Sequence, residues 1–380
     1  MLKWALVSSL FQYILTLKTC QEDHKIVQVC SVDELYVAPL PVSIDTEVYL
    51  NDIHGIDEVE KSISIYVELE TYWTDLGISV SGNDSSVEAM VKSSDKAAIW
   101  HPTLLFENLL AYEKMGGYGG TGTYSFWHMG DSEMYYSEEA ELKLYCNFDF
   151  STFPFDSHIC PVTWGDDEQG AEWIQLNSAL VRYLDFVTET GTDPIIINSL
   201  PFPFEFQLES IPSFHKVYDT NYSYTGMTIK MKRTSLGLLL SGYYYPTGSF
   251  ALLSLISFVI HVDVVPGRMG MIVTLYLITA NVYNSVDAPP SRGFSYIEVW
   301  MFGAQCPILI ALLEYGYVLY LKKYTTEKQQ KRKVSPKVVV IYQRQYNIDD
   351  KIKKLDYATM ICSLVLFTLF ALAYWSLLLQ

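Results

Sequence analysis

The sequence predicts an all-β sandwich followed by an all-α membrane domain of four helices, and three observations point there. Half of the 380 residues are apolar and 18% are charged, against about a quarter charged in a typical soluble chain. Charge divides the chain: residues 1–233 hold 13 Lys and Arg against 35 Asp and Glu, net −22, whereas residues 234–380 hold 13 against 8, net +5. Apolar residues alternate with period two before that point and run almost uninterrupted after it. The acidic balance excludes a nucleic-acid binder, which needs a basic face to release phosphate counterions. No repeat or biased tract is present, so collagen, coiled-coil and low-complexity classes fall away.

Residues 1–20 read as a secretory signal: Lys3, an apolar run too short to span a bilayer, then polar Gln21, Glu22 and Asp23. Four later segments, residues 243–262, 269–286, 299–321 and 357–379, can each cross about 30 Å of hydrocarbon at about 1.5 Å per residue. Glu314 is the one charge inside them. Residues 322–350 read as a short basic cytosolic loop, because Lys322, Lys323, Lys328, Lys331, Arg332, Lys333 and Lys337 meet a single Glu327 as far as residue 337. This orientation puts the acidic domain, residues 21–233, and the C-terminus outside a plasma membrane crossed several times.

In the exported domain, runs such as Ser62–Glu70 and Thr225–Lys232 alternate apolar with polar residues and are broken by Gly, Pro, Asn and Asp. That is the pattern of a β-sandwich, in a segment long enough to bury one core. Cys146 and Cys160 lie in the oxidising compartment, so a disulfide between them is the default. Cys20 and Cys30 pair only if signal cleavage leaves Cys20 on the mature chain. Cys306 and Cys362 fall inside spans and read as reduced packing residues.

The stretch Cys146-Asn-Phe-Asp-Phe-Ser-Thr-Phe-Pro-Phe-Asp-Ser-His-Ile-Cys160 resembles the signature loop of the Cys-loop receptors, the pentameric ligand-gated ion channels. The likeness extends over almost the whole mature chain. Trp73-Thr-Asp75 is similar to the family's Trp-x-Asp, Trp100-His-Pro102 to its Trp-x-Pro, and Arg233 to the basic residue ending its extracellular domain. Val265-Pro-Gly-Arg268 resembles the link into the second helix, Ala311–Tyr315 a third-helix motif, and Tyr374-Trp375 one in the fourth. Thr103 departs from the usual Asp, and the cytosolic loop is shorter than in most animal members. The resemblance implies a homo- or heteropentamer of this chain with four further subunits, a small extracellular ligand, membrane lipids and permeant ions as partners, no cofactor and no enzymatic activity. It also implies that the Cys loop and residues 287–296 couple the two domains.

From Arg268, residues Gly270, Thr274, Leu277, Asn281, Asn284 and Ala288 recur at helical spacing on the small, polar face of an apolar segment. In lipid such a stripe is costly unless it meets water or another helix, so a bundle of these helices would enclose a pore. Leu277 interrupts the stripe and is the expected gate, stopping ions by dewetting. Pro266-Gly267-Arg268 resembles the Pro-Ala-Arg of anion-selective members; cation-selective ones carry Glu in place of Gly267. Arg268 and the positive helix N-terminus then favour chloride. The outer domain's net −22 pulls the other way, but salt screens a diffuse field over about 8 Å. Asp263 near the mouth also favours cations.

By resemblance, the ligand cleft takes Tyr218, Tyr222 and Tyr224 from one loop, and Phe106 and Glu107 from another. The spacing from Cys160 adds Asp167, and the position five before Trp73 adds Glu68. With carboxylates replacing part of an aromatic box, the cleft favours a hydrogen-bonding cationic or amphipathic ligand over acetylcholine. Asn83 and Asn221 open glycosylation sequons. Gly117–Gly122 matches a dinucleotide fingerprint but precedes a strand rather than a helix, so it reads as a loop. His101, His128 and His158 lack metal-ligand spacing. Three other readings stand beside this one: a cation-selective member, a ligand-binding subunit conducting only in heteromers, and a membrane-anchored ectoenzyme or receptor. The last has no nucleophile elbow, zinc helix or phosphate loop in its favour.

Overall fold

Strands of alternating polarity occupy the first half of the chain and apolar helices the second, each in its own unit. The structure is a computed structural model that describes residues 41–75, 88–91, 99–114, 124–130, 132–166, 170–198, 200, 202–218, 221–286, 288–330 and 338–378. The signal segment, Cys20, Cys30, Asn83, the glycine-rich segment at residues 117–122 and Asp167 lie outside the described residues.

The β unit lies within Met1–Phe148 and Ser157–Lys232. Its strands in chain order are β1 Val42–Asp57, β2 Ser62–Thr74, β3 Ala89–Met90, β4 Leu105–Phe106, β5 Leu109–Lys114, β6 Tyr124–Gly130, β7 Glu133–Tyr145, β8 Ser157–Gly165, β9 Ile174–Leu176, β10 Leu180–Tyr183, β11 Phe186–Thr188, β12 Ile195–Ile197, β13 Phe204–Val217 and β14 Asn221–Arg233. Among the described residues they form a nine-stranded sheet, ordered β11-β10-β1-β2-β7-β6-β3 with β5 on β7 and β9 on β1, and a five-stranded sheet, ordered β12-β13-β14-β8-β4. The period-two pattern decides which face is inside. On β7, Met134, Tyr136, Ala140, Leu142 and Leu144 are buried, while Glu139, Glu141 and Lys143 lie on the other face. Ile44, Trp73, Phe126, Met134, Ile174 and Leu176 meet in one core cluster. The disulfide Cys146–Cys160 is present, with Cα atoms 5.2 Å apart.

The helical unit takes Arg233–Gln380 together with Asp149–Asp156 of the Cys loop. Its helices are α1 Leu236–Leu239, α2 Tyr245–Ser254, α3 Val265–Asn284, α4 Tyr296–Gln330 and α5 Val338–Leu378. A π-helical turn at Leu240–Tyr244 joins α1 to α2, and a 3-10 turn at Leu255–Phe258 follows α2. The expected first span at residues 243–262 is therefore not one α-helix. Pro246, in the first turn of α2, has no N–H to give the preceding carbonyls, and a widened turn accommodates the loss. Thr247 Oγ1 donates to Tyr243 O at 2.7 Å and Ser254 Oγ to Ala251 O at 2.7 Å, hydroxyl back-bonding of the kind that bends helices. Among the described residues three helices are long and apolar enough to cross a membrane: Val265–Asn284, Tyr296–Tyr324 and Asp349–Leu378. The described parts of the expected loop at residues 322–350 are helical rather than looped, because α4 runs on to Gln330 and α5 begins at Val338. Lys, Glu and Gln are strong helix formers, so a basic composition does not end a helix.

The Cys-loop residues are tied into this unit by polar and aromatic contacts. Arg233 Nε donates to Asp156 Oδ1 at 2.8 Å and its Nη2 to Oδ2 at 3.0 Å, with the guanidinium 4.8 Å from the Phe153 ring. The Ile297 N–H donates to Phe153 O at 3.1 Å. The Phe155 ring centroid lies 6.3 Å from that of Tyr244 and 6.4 Å from Trp375. Around them the Tyr244 and Tyr374 hydroxyls are 2.7 Å apart, and Trp300 Nε1 donates to Thr247 Oγ1 at 3.0 Å.

The disulfide closes the Cys loop across a sequence separation of 14. Replacing both cysteines with Ser should cost about 3 kcal/mol in the chain-entropy account, read as a lower melting temperature of the detergent-solubilised chain. A non-reducing peptide map of the wild type should recover the two peptides linked; recovery of both thiols free would contradict the bridge.

Candidate functional site

Two surface patches of the β unit, one on each sheet, bring together most of the expected cleft residues. On the five-stranded sheet, register pairs Phe106 with Trp164 and Tyr224 with Gly165. The Phe106 and Trp164 rings lie 5.7 Å apart, and Trp164 is fully buried. Glu107 accepts hydrogen bonds from Lys216 Nζ and Thr163 Oγ1. Lys216 Nζ in turn sits 4.9 Å from the Tyr224 ring centroid and 5.7 Å from that of Phe214. Tyr224, expected as an open ligand contact, is instead buried, stacked on Phe214 with centroids 5.8 Å apart and covered by Lys216. The open aromatics are Tyr218 and Tyr222, paired edge to face at 6.1 Å. Asn221 is exposed at the start of β14. Gly165 is required here: a Cβ would lie 2.4 Å from Tyr224 Cδ1 and 2.7 Å from Ser223 O.

On the nine-stranded sheet Glu68 is one member of a larger acid and tyrosine cluster. Alternation puts Glu68, Glu70 and Tyr72 on one face of β2, opposite Tyr49 and Glu47 of β1 and opposite Glu139, Ser137 and Tyr135 of β7. Ser137 Oγ donates to Glu68 Oε1 at 2.6 Å, Tyr135 OH to Glu70 Oε1 at 2.6 Å and Tyr72 OH to Glu70 Oε2 at 2.9 Å. Arg182 Nε donates to Glu47 at 2.7 Å, with the guanidinium 5.3 Å from the Tyr49 ring. Glu47 thus takes the guanidinium, while Glu68 and Glu70 are held by hydroxyls. Burial pushes the Glu70 carboxyl above its ordinary range, outweighing the two tyrosine hydroxyls that favour its ionised form, and Glu68 and Glu47 push the same way. Burial and the Glu70 carboxylate raise the phenols of Tyr72 and Tyr135, so both remain donors at neutral pH.

In the helical unit, α3 divides into opposite stripes. Gly270, Thr274, Leu277, Asn281 and Asn284 are exposed, Leu277 by 55%, and Pro266 and Gly267 are exposed in the first turn. Arg268, Ile272, Leu275 and Thr279 are buried about half a turn away. Arg268 was expected on the pore stripe and at the mouth. It is instead fully buried, because Arg268 lies two residues before Gly270, which at 100° per residue turns it to the opposite face. Ala288 also leaves the stripe: α3 ends at Asn284, and Ala288 is half-buried in the following loop. Asp263, just before α3, pairs with Lys322, which holds its carboxyl below the usual range, so its charge is balanced locally.

Sequence reasoning missed Lys216, Phe214, Glu70, Tyr72 and Tyr135. The three on the nine-stranded sheet were within reach, since Glu70 and Tyr72 follow Glu68 at strand period and Tyr135 is their partner across the ladder. Lys216 had no comparable signal, since its role depends on β13 lying beside β14. The histidines are packing groups: His158 lies 5.0 Å from Phe148 and His101 5.3 Å from Tyr136, centroid to centroid, and His128 Nδ1 accepts from the Gly130 N–H at 3.2 Å.

A receptor-type ligand-binding sandwich on membrane helices is the class these features define. Residues 36–233 match the neurotransmitter-gated ion-channel ligand binding domain family, and the chain belongs to that family. It is similar to the gamma-aminobutyric acid receptor subunit rho-1 of Mus musculus, 25% identical over 311 residues, covering 79% of this chain and 60% of the relative. The Homo sapiens rho-1 subunit is 26% identical over 304 residues, 77% and 59% of the two chains. The Bos taurus rho-2 subunit is 25% identical over 310 residues, 78% and 62%. The chain thus spans about 60% of the length of the curated relatives it matches.

Gly165→Ala should displace Tyr224 and cost about 1–3 kcal/mol, as overpacking does, measured by denaturant melting of the full chain. The raised Glu70 carboxyl sets a sign for pH dependence. Between the ordinary carboxyl range and its raised folded value, the folded state binds more protons than the unfolded state, so this group's contribution to stability falls as pH rises. The stability margin of wild type over Glu70→Gln should therefore shrink as pH rises through that window, and thermal melts across pH 4 to 8 should show it. A margin that widens with pH would contradict the burial argument.

Proposed function

We propose that the chain is one subunit of a plasma-membrane pentameric ligand-gated ion channel, anion-selective, opened by a small extracellular ligand at the junction between subunits. One observation carries the reading: the chain that matches a neurotransmitter-gated ligand-binding domain continues into α3, whose exposed face is small and polar. Five such faces turned together would line a water-filled path, with Leu277 as the apolar constriction. A ligand that binds the open arrangement more tightly than the closed one shifts the gate by that difference in affinity alone.

The two β-unit patches are the two halves of a cleft that closes only when neighbouring subunits meet. One half offers Phe106 and the Glu107–Lys216 pair, with Tyr218 after β13 and Tyr222 on β14; the other offers Glu68 and Glu70, the latter held by the Tyr72 and Tyr135 hydroxyls. Paired Lys216 leaves the first half near neutral and the second half is net negative, so the ligand is an amine. Carboxylates discriminate by hydrogen bonding, which a primary ammonium can satisfy and a quaternary one cannot. Anion preference rests on Gly267, where no carboxylate ring stands, and on the free N–H groups of the α3 N-terminus.

Recording from cells expressing the full chain tests this directly. Tyramine or γ-aminobutyrate, both primary amines, should open the channel at lower concentration than acetylcholine, and Glu68→Gln and Glu70→Gln should each weaken that response about tenfold. Reversal should follow external chloride, and Gly267→Glu should move it toward the sodium potential. Currents that ignore chloride replacement, or acetylcholine acting first, would overturn the corresponding part. Cross-linked mass should be that of five subunits.

A further inference from the structure

Arg268 is a fully buried charged group of the helical unit, and its neighbours come from three other segments. Its Nη2 donates to Glu314 Oε2 on α4 at 2.6 Å and to Asp356 Oδ1 on α5 at 3.1 Å. The guanidinium carbon sits 4.6 Å from the Tyr315 ring centroid and 5.5 Å from that of Phe258 in the 3-10 turn. Tyr315 OH donates to Val262 O at 3.2 Å, which fixes the ring against the segment leading into α3. Side-chain exposure is 0% for Arg268, 5% for Glu314 and 9% for Asp356. Among the described residues Arg268 Nε and Nη1 have no hydrogen-bond acceptor. The carboxylates and aromatic faces are therefore its whole compensation.

We propose that Arg268 is a positioning residue, the centre of a buried ionic clamp with Glu314 and Asp356 that sets the rotation of α3 about its axis. This rests on the channel reading above. Arg268, Ile272, Leu275 and Thr279 share one stripe, so anchoring the first of them at α4 and α5 directs Gly270, Thr274, Leu277 and Asn281 to the opposite side. Two consequences follow. The charge of Arg268 does not face the ion path, so selectivity at that end comes from what surrounds Gly267. And α5, the last helix, takes part in orienting the pore helix through Asp356 instead of serving only as a lipid-facing anchor. Two carboxylates on one guanidinium also leave the clamp with no surplus positive charge to attract anions.

The clamp predicts an asymmetry between partial and complete removal. Removing Arg268 leaves two buried carboxylates without a cation, whereas neutralising all three leaves no buried charge. In a Cys306→Ser, Cys362→Ser background of the full chain in membranes, a charged water-soluble thiol reagent should label T274C and N281C. It should label I272C and T279C at least about tenfold more slowly, since these sit on the anchored side. R268M alone should narrow that difference, and the neutral triple R268M/E314Q/D356N should restore it. The triple should also keep the chloride-to-sodium permeability ratio of tyramine- or γ-aminobutyrate-evoked currents within about twofold of wild type, because electrostatic selectivity would follow a charge at the mouth. A triple variant that loses anion preference, or I272C labelled as fast as T274C, would overturn the proposal. R268M alone should melt at a lower temperature than the neutral triple in detergent, whether or not the chain conducts. An R268M no less stable than the triple would count against the clamp alone, while a T274C that stays unlabelled with the clamp residues unaltered would count against the channel.

Discussion

Among the described residues two guanidinium groups are buried in the helical unit, and each is held by carboxylates distant in sequence. Arg233 meets Asp156 across 77 positions; Arg268 meets Glu314 across 46 and Asp356 across 88. Taking one such ion out of water costs several kcal/mol, and only a partner delivered in good geometry offsets that. These pairs are therefore satisfied in one assembly of the segments and penalised in others. Arg233, at the end of β14, draws Asp156, and with it Phe153 and Phe155, into the helical unit. Arg268 does the same for α3, α4 and α5. Helices packed in lipid gain little from hydrophobic burial against one another, so polar ties of this kind carry more of the specificity than they would in water.

The same constraint separates two roles that a basic residue in the first turn of α3 could play. A guanidinium at the mouth would act through its field; one inside the subunit acts through geometry. With Arg268 inside and Asp263 paired to Lys322, the exposed features near the start of α3 are Pro266, Gly267 and the first-turn N–H groups. Their partial positive charge is fixed by the backbone, so it does not depend on a side-chain rotamer.

The β unit shows how a sheet can carry clusters of charged and aromatic side chains without disturbing its core. Inward positions of β2 and β7 are apolar except Thr71 and Glu138, and Glu68, Glu70, Tyr72 and Tyr135 occupy intervening outward ones. Glu70 is held by two tyrosine hydroxyls, which rigidifies a carboxylate that an unpaired chain would leave mobile. Lys216 covers Tyr224 and neutralises Glu107, so one side chain sets both the shape and the charge of the opposite patch.

What could be learned from the chain alone follows from short-range periodicity and from local chemistry. Period two gave the sandwich faces, the apolar runs gave the membrane helices, and the spacing of Cys146 and Cys160 in an exported domain pointed to their disulfide. The exposed stripe from Gly270 to Asn284 was legible because 3.6-residue repetition needs no partner to be seen. The angle of Arg268, two residues before Gly270, was legible in the same way, but its partners were not, since Glu314 and Asp356 are 46 and 88 positions away. The break in the first helix depended on where Pro246 fell within its ladder, and the burial of Tyr224 on Lys216 arriving from a neighbouring strand. In each case the sequence determined which groups could pair, and only the packed structure decided which pairs formed, because the cost of burying a charge or a ring is settled by everything that surrounds it.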